Sequence, residues 1–128
     1  MNRAIVIVDF VFDDGLLFVS VANIGDAPAI DVVVEFDQPV HTADGAELGA
    51  MALFRRLTFL APGKNIMAFV DSSAAYFGRG EPEKIAASIR WRDLDGETAR
   101  SAVIRHDLGV YRDLPFVPGR PGRPGSGL

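Results

Sequence analysis

The sequence predicts an all-β, two-sheet Greek-key β-sandwich of about seven antiparallel strands with a disordered C-terminal tail, on three observations. Short segments rich in β-branched and aromatic residues recur along the chain, turn signals built on Gly, Pro, Asp and Asn separate them at regular intervals, and helical periodicity is almost absent. With 128 residues, and hydrophobic residues at 48% against 23% charged, the chain has the size and composition of one folded domain. That domain is expected over residues 1–114, and a flexible Pro/Gly/Arg-rich tail over residues 115–128.

The first strand runs from Ala4 to Phe12 and stops at Asp13-Asp14-Gly15, where glycine supplies the positive φ that a tight hairpin needs. Leu16 to Ile24 follows as its partner and leads into Gly25-Asp26-Ala27-Pro28, where Pro28 has no N–H for a ladder. The third strand alternates, with Ile30, Val32, Val34 and Phe36 on the buried face and Asp31, Val33, Glu35 and Asp37 on the other. Residues 38–52 hold no sustained period and read as a long connection with room for a short edge strand or helical turn. Leu53 to Leu60 is expected as a short strand with Leu53, Leu57 and Phe59 pointing one way, turning at Ala61-Pro62-Gly63-Lys64 into a strand from Asn65 to Val70.

Asp71-Ser72-Ser73 can cap one helical turn through Phe77, closed by Gly78. Lys84 to Arg92 alternates again and puts Ile85, Ala87, Ile89 and Trp91 in the core. Asp93 to Glu97 is a five-residue hairpin loop, and Thr98 to Asp107 is the last strand. Hairpins at 13–15, 61–64 and 93–97 imply neighbours within a sheet, while 25–28 and 71–83 cross between sheets. The first, second and fifth strands then share one sheet, and the third, sixth and seventh the other. Beyond Leu114, prolines at 115, 118, 121 and 124 recur at the polyproline II period and predict an extended, mobile tail.

Val19–Val32 (VSVANIGDAPAIDV), then Leu60-Ala61-Pro62-Gly63 and Ile89–Gly96 (IRWRDLDG), resemble the bacterial CARDB-type domains over roughly residues 4–112. The resemblance implies an immunoglobulin-like sandwich related to cell-adhesion modules. Its motifs are structural: an Asn-x-Gly-x-x-Pro/Ala corner, a Pro-Gly turn and an Asp-Gly hairpin. No activity follows from it, because sandwiches host many unrelated roles.

Chemistry-bearing groups are few. Cysteine is absent, so no disulfide, thiolate nucleophile or Cys-ligated zinc is possible. Only His41 and His106 supply imidazole, and no nucleophile-elbow, zinc-protease or phosphate-loop pattern occurs, so no enzyme and no cofactor are expected. Asp93, Asp95 and Glu97 flank Gly96 with Asp26 at the same end, a partial set of oxygens for a weak cation site, but the full calcium-loop spacing is missing and a plain Asp-Gly hairpin accounts for them. Thirteen basic against seventeen acidic residues give a net charge of −4, which argues against nucleic acid as partner. No signal-peptide pattern and no membrane-spanning stretch are present, so a cytoplasmic protein without membrane insertion is expected.

What remains is a non-enzymatic protein-interaction or structural module, with a protein partner or a second copy held by an unpaired edge strand. Its candidate interface comprises Tyr76, Phe77, Arg79 and His41, at the end where 38–52 meets 71–83. Tyr76 and Phe77 either plug that end of the sandwich or stand exposed as interface anchors. The alternative from another class is a small-molecule or carbohydrate-binding module using the same two loops. Arg120 and Arg123 among the tail prolines also match ligands of SH3-like grooves, against the commoner reading of a flexible terminus.

Overall fold

Seven strands and two short helices emerge from this pattern in a computed structural model that describes residues 2–113. The strands are β1 (Val6–Asp13), β2 (Leu16–Asn23), β3 (Ala29–Phe36), β4 (Leu57–Leu60), β5 (Asn65–Ser72), β6 (Lys84–Arg92) and β7 (Ala99–Asp107). The helices are α1 (Ala52–Arg55) and α2 (Ser73–Gly78), with 3₁₀ turns at Leu48–Ala50 and Leu108–Tyr111. All pairings are antiparallel, in a three-stranded sheet ordered β1-β2-β5 and a four-stranded sheet ordered β4-β3-β6-β7. The fold is thus an all-β sandwich, with the expected strands in each sheet. The tail and its PxxP reading lie outside the described residues.

The β1–β2 hairpin is closed by two residues, since Asp13 faces Leu16 directly. Asp14 and Gly15 both have positive φ, 56° and 79°, the pair of conformations a type I′ turn demands. Inner faces are built by alternation: Val6, Val8 and Phe10 of β1, with Leu17, Val19 and Val21 of β2, pack against Ile85, Ala87, Ile89 and Trp91 of β6 in one cluster. Each buried Val, Leu, Ile and Phe among them contributes about 1.5–3 kcal/mol of transfer free energy. No helix among the described residues is long and apolar enough to cross a membrane.

Three expectations are corrected. The turn at 61–64 does not join neighbours in one sheet, because β4 pairs with β3 and β5 pairs with β2. It is an arch between sheets, held by Asn23 N donating to Lys64 O at 3.0 Å and Gly63 N donating to Asn23 O at 2.8 Å. Four extended residues reach about 13 Å, enough for sheets packed about 10 Å apart.

The expected strand from Leu53 is instead the α1 turn followed by four residues of β4. Its inward groups are Phe54 and Leu60, both buried, while Phe59 is 51% exposed. Phe54 lies edge-on to Phe36 at 5.2 Å between centroids, and one turn of helix is what rotates it there.

The third strand does not alternate throughout. Asp31 has φ of 51° and the register shifts between Ile30 and Val33, so a bulge inverts the facing of the chain upstream. Ala29, Val32 and Val34 are buried, whereas Ile30 is only half-buried. Asp31 tolerates the left-handed region better than most residues, and its carboxylate accepts from Arg56 Nη2 at 2.9 Å.

Candidate functional site

Helix α2 is nucleated by Ser72, whose hydroxyl accepts from Ala75 N at 3.2 Å as an N-cap. This single turn brings Tyr76, Phe77 and Arg79 to the end of the sandwich reached by the connection carrying His41. The structure therefore does gather the four residues singled out in the sequence. Tyr76 is 0% exposed and donates its hydroxyl to Pro82 O at 2.6 Å. Burial, with the Glu81 and Glu83 carboxylates nearby, pushes this phenol above its ordinary range. Tyr76 is the plug of the two readings and offers no surface to a partner.

Arg79 ion-pairs with Asp71, faces Glu81 Oε2 at 3.5 Å, donates to His41 O, and lies 5.7 Å from the Tyr76 ring centroid. Glu81 Oε1 accepts from His41 N at 2.7 Å and stands 3.4 Å from His41 Nδ1. These contacts knit the loops 38–52 and 71–83 together. Beside them Phe77 stacks on Phe12 at 5.8 Å, Phe12 stacks on Tyr111 at 4.7 Å, and the Arg112 guanidinium sits 4.8 Å from the Phe77 centroid. Chemically this end is a closed polar and aromatic clasp.

At the opposite end, Asp93 is paired with Arg100 by bonds of 3.0 and 2.9 Å. Asp95 accepts from Glu97 N, Thr98 N and Thr98 Oγ1, and the Thr98 and Glu97 amides hold its carboxyl below the ordinary range. Asp26 accepts from Arg3 N at 2.8 Å. These carboxylates build turns. Among the described residues no group of three or more His, Asp or Glu is placed to hold a metal ion. His106 Nε2 donates to Val8 O at 2.9 Å, since a carbonyl can only accept, and its ring lies edge-on to Phe10. That histidine seams β7 to β1 across the two sheets.

Two surfaces escaped the sequence reading. Outward positions of the first sheet align in cross-strand rows: Val11 with Phe18 and Phe69, Asp9 with Ser20 and Met67, Ile7 with Ala22 and Asn65. Phe18 and Phe69 meet edge-on at 5.8 Å, and Phe69 and Met67 are 49% and 45% exposed. This apolar face ends at β5, an edge strand of its sheet among the described residues. The available signal was the apolar run LLFVSVA, in which both faces of β2 are oily, and an alternation of Met67 and Phe69 against Ile66 and Ala68 that does not distinguish in from out.

The second surface is the outer face of the other sheet. There Arg56, Arg90 and Arg92 flank a shallow groove of about 550 Å³ over Val33 and Ala99, and Arg100, which faces Trp91 across the ladder and so belongs to the inner side of β7, reaches only its rim. Its signal was the polar half of the alternation in Arg90-Trp91-Arg92.

In comparison with known proteins, the family model described as a domain of unknown function (DUF8453) matches residues 1–112. No curated protein and no solved structure matches the chain.

Proposed function

The chain belongs to the DUF8453 family, a domain of unknown function, and from that premise we propose that it is a non-enzymatic interaction module that associates with a second copy of itself through β5. One observation carries the reading. Of the four sheet edges among the described residues, β5 alone presents a long run, Asn65 to Val70, with neither charge nor proline and with large apolar side chains exposed beside it. Natural edges are normally blunted. The edge of β7 carries Arg100, Arg105, His106 and Asp107, that of β1 is engaged by His106 at Val8 O, and β4 is four residues long. On β5 itself, Ala43 N donates to Val70 O and covers that one position.

A two-fold axis through β5 would add strand to strand without opposing like charges, despite the net charge of −4. It would also set Met67 and Phe69 of one copy beside those of the next. The order β1-β2-β5 over β4-β3-β6-β7 supports the finer assignment as immunoglobulin-like, in keeping with the CARDB resemblance. The mutual clasp of loops 38–52 and 71–83 favours a structural role for that end over a small-molecule site. Both histidines sit in structural contacts, which supports the non-enzymatic reading.

Sedimentation velocity of the full chain across a concentration series tests this. The expected result is a shift from the 13.8 kDa monomer toward twice that mass, abolished in Met67→Lys/Phe69→Lys while that variant still unfolds in one cooperative transition. A monomer at every concentration, or a dimer untouched by the double substitution, would overturn it.

A further inference from the structure

On the other sheet, and independent of the β5 reading, we infer that the arginine groove over β6 is a docking site for an extended acidic peptide segment of a partner protein. The charge distribution carries the inference. Four of the thirteen basic residues of an otherwise acidic chain line this one groove or its rim, and two of the four are neutralised within the molecule. Arg56 is paired with Asp31 and Arg100 with Asp93. Arg90 has no ion pair among the described residues, and Arg92 makes only a 3.4 Å bond to Gly96 O. The groove keeps two uncompensated, exposed guanidinium groups.

Their spacing specifies the ligand's form. Arg90 and Arg92 occupy successive outward positions of one strand, about 6.6 Å apart along it. An extended peptide presents every second side chain on one face with the same rise, so an acid-x-acid segment places one carboxylate against each guanidinium. The Arg90 fork makes bidentate contact with one carboxylate, and Arg92 offers the other the donors not turned toward Gly96 O. The floor, Val33 and Ala99, is low and apolar, leaving room for a backbone to lie across it. The row through Arg92 continues to Ile30 and the exposed Phe59, an apolar platform beside the cationic stretch. One row beyond Arg90, Glu35 faces Ser88 and reverses the sign, which limits the match to two acidic positions and fixes their register.

The test is fluorescence anisotropy of the full chain with a labelled synthetic peptide of alternating Glu and Thr. A Lys-Thr peptide and a single-stranded oligonucleotide of equal charge serve as comparators. The Glu-Thr peptide is expected to bind at low salt, to weaken as salt is raised, and to lose about tenfold in affinity with Arg90→Glu/Arg92→Glu. Arg105→Glu, on the same sheet outside the groove, is expected to change affinity little. Amide chemical-shift mapping on the unsubstituted chain should place the peptide over β6 and the start of β7, a readout that does not depend on any variant folding. Absence of binding at low salt, equal loss with Arg105→Glu, shifts that map elsewhere, or tighter binding of the oligonucleotide would each overturn the assignment.

Discussion

Asn23 Nδ2 donates to the Leu60 carbonyl at 3.1 Å from a side chain 1% exposed, and this bond ties the end of β2 in one sheet to the end of β4 in the other. The same amide donates to Ala27 O at 2.8 Å, and its oxygen accepts from Ile5 N and Gly25 N. One side chain thus satisfies four backbone groups at the point where the chain changes sheets. Asn23→Ala is expected to cost about 3 kcal/mol, because several buried polar groups lose partners together. Asn23→Asp keeps the acceptor but turns a carboxylate toward two carbonyls. Burial would raise that carboxyl's folded pKa, so the variant's stability should fall as pH rises through the carboxylate range. Urea melts of both variants at two pH values would check this.

Gly25 lies against the N-terminal segment, where an added Cβ would strike the Arg3 carbonyl oxygen and come within 2.6 Å of Ile5 N. Neither atom belongs to a flexible side chain that could swing away. Gly25→Ala should therefore displace residues 3–5 and weaken the bonds from Ile24 N to Ile5 O and from Asp26 N to Arg3 O. A loss of about 2 kcal/mol is expected, with faster amide exchange confined first to Ile24 and Asp26.

Phe54 and Phe59 separate two accounts of residues 53–60. Phe54 is fully buried and Phe59 half exposed, so Phe54→Ala should cost about 3–5 kcal/mol and Phe59→Ala about 0.5 kcal/mol or less. Chemical denaturation of the two variants measures both. The reverse order would mean that residues 53–60 form one continuous strand.

Tyr76 predicts an alkaline limit to stability. Its folded pKa lies above the ordinary value of 10.0, so its contribution is complete below that pH and is lost as the pH rises beyond it and the unfolded chain releases its proton first. In a tyrosinate absorbance titration, Tyr76 should ionise only together with unfolding. Tyr76→Phe should remove that step and, by releasing Pro82 O, cost about 1 kcal/mol.

Where one side of a strand is oily and the other charged, the sequence was sufficient. Ile85, Ala87, Ile89 and Trp91 were readable as core because Lys84, Arg90 and Arg92 could not be, and a two-residue period admits only one choice of face. The same logic failed at β3, where Asp31 enters the left-handed region and adds a residue without altering the pattern of letters. It failed again at Leu53–Leu60, whose apolar residues fit a strand as well as a helical turn. The candidate end was found through turn chemistry at Ser72 and Gly78, but whether Tyr76 filled the sandwich or left it was undecidable from composition.

Local chemistry by itself determined the strands, the β1–β2 and β6–β7 hairpins, the α2 turn and the division of strands 1, 2 and 5 from 3, 6 and 7, because each follows from backbone preference and side-chain alternation within a few residues. Tertiary structure alone decided that β4 joins β3, that Phe54 rather than Phe59 is buried, and that β5 is an edge strand among the described residues. Those outcomes depend on which surfaces other segments cover, and coverage is a property of chains packed about 10 Å apart in space, which no single stretch of sequence encodes.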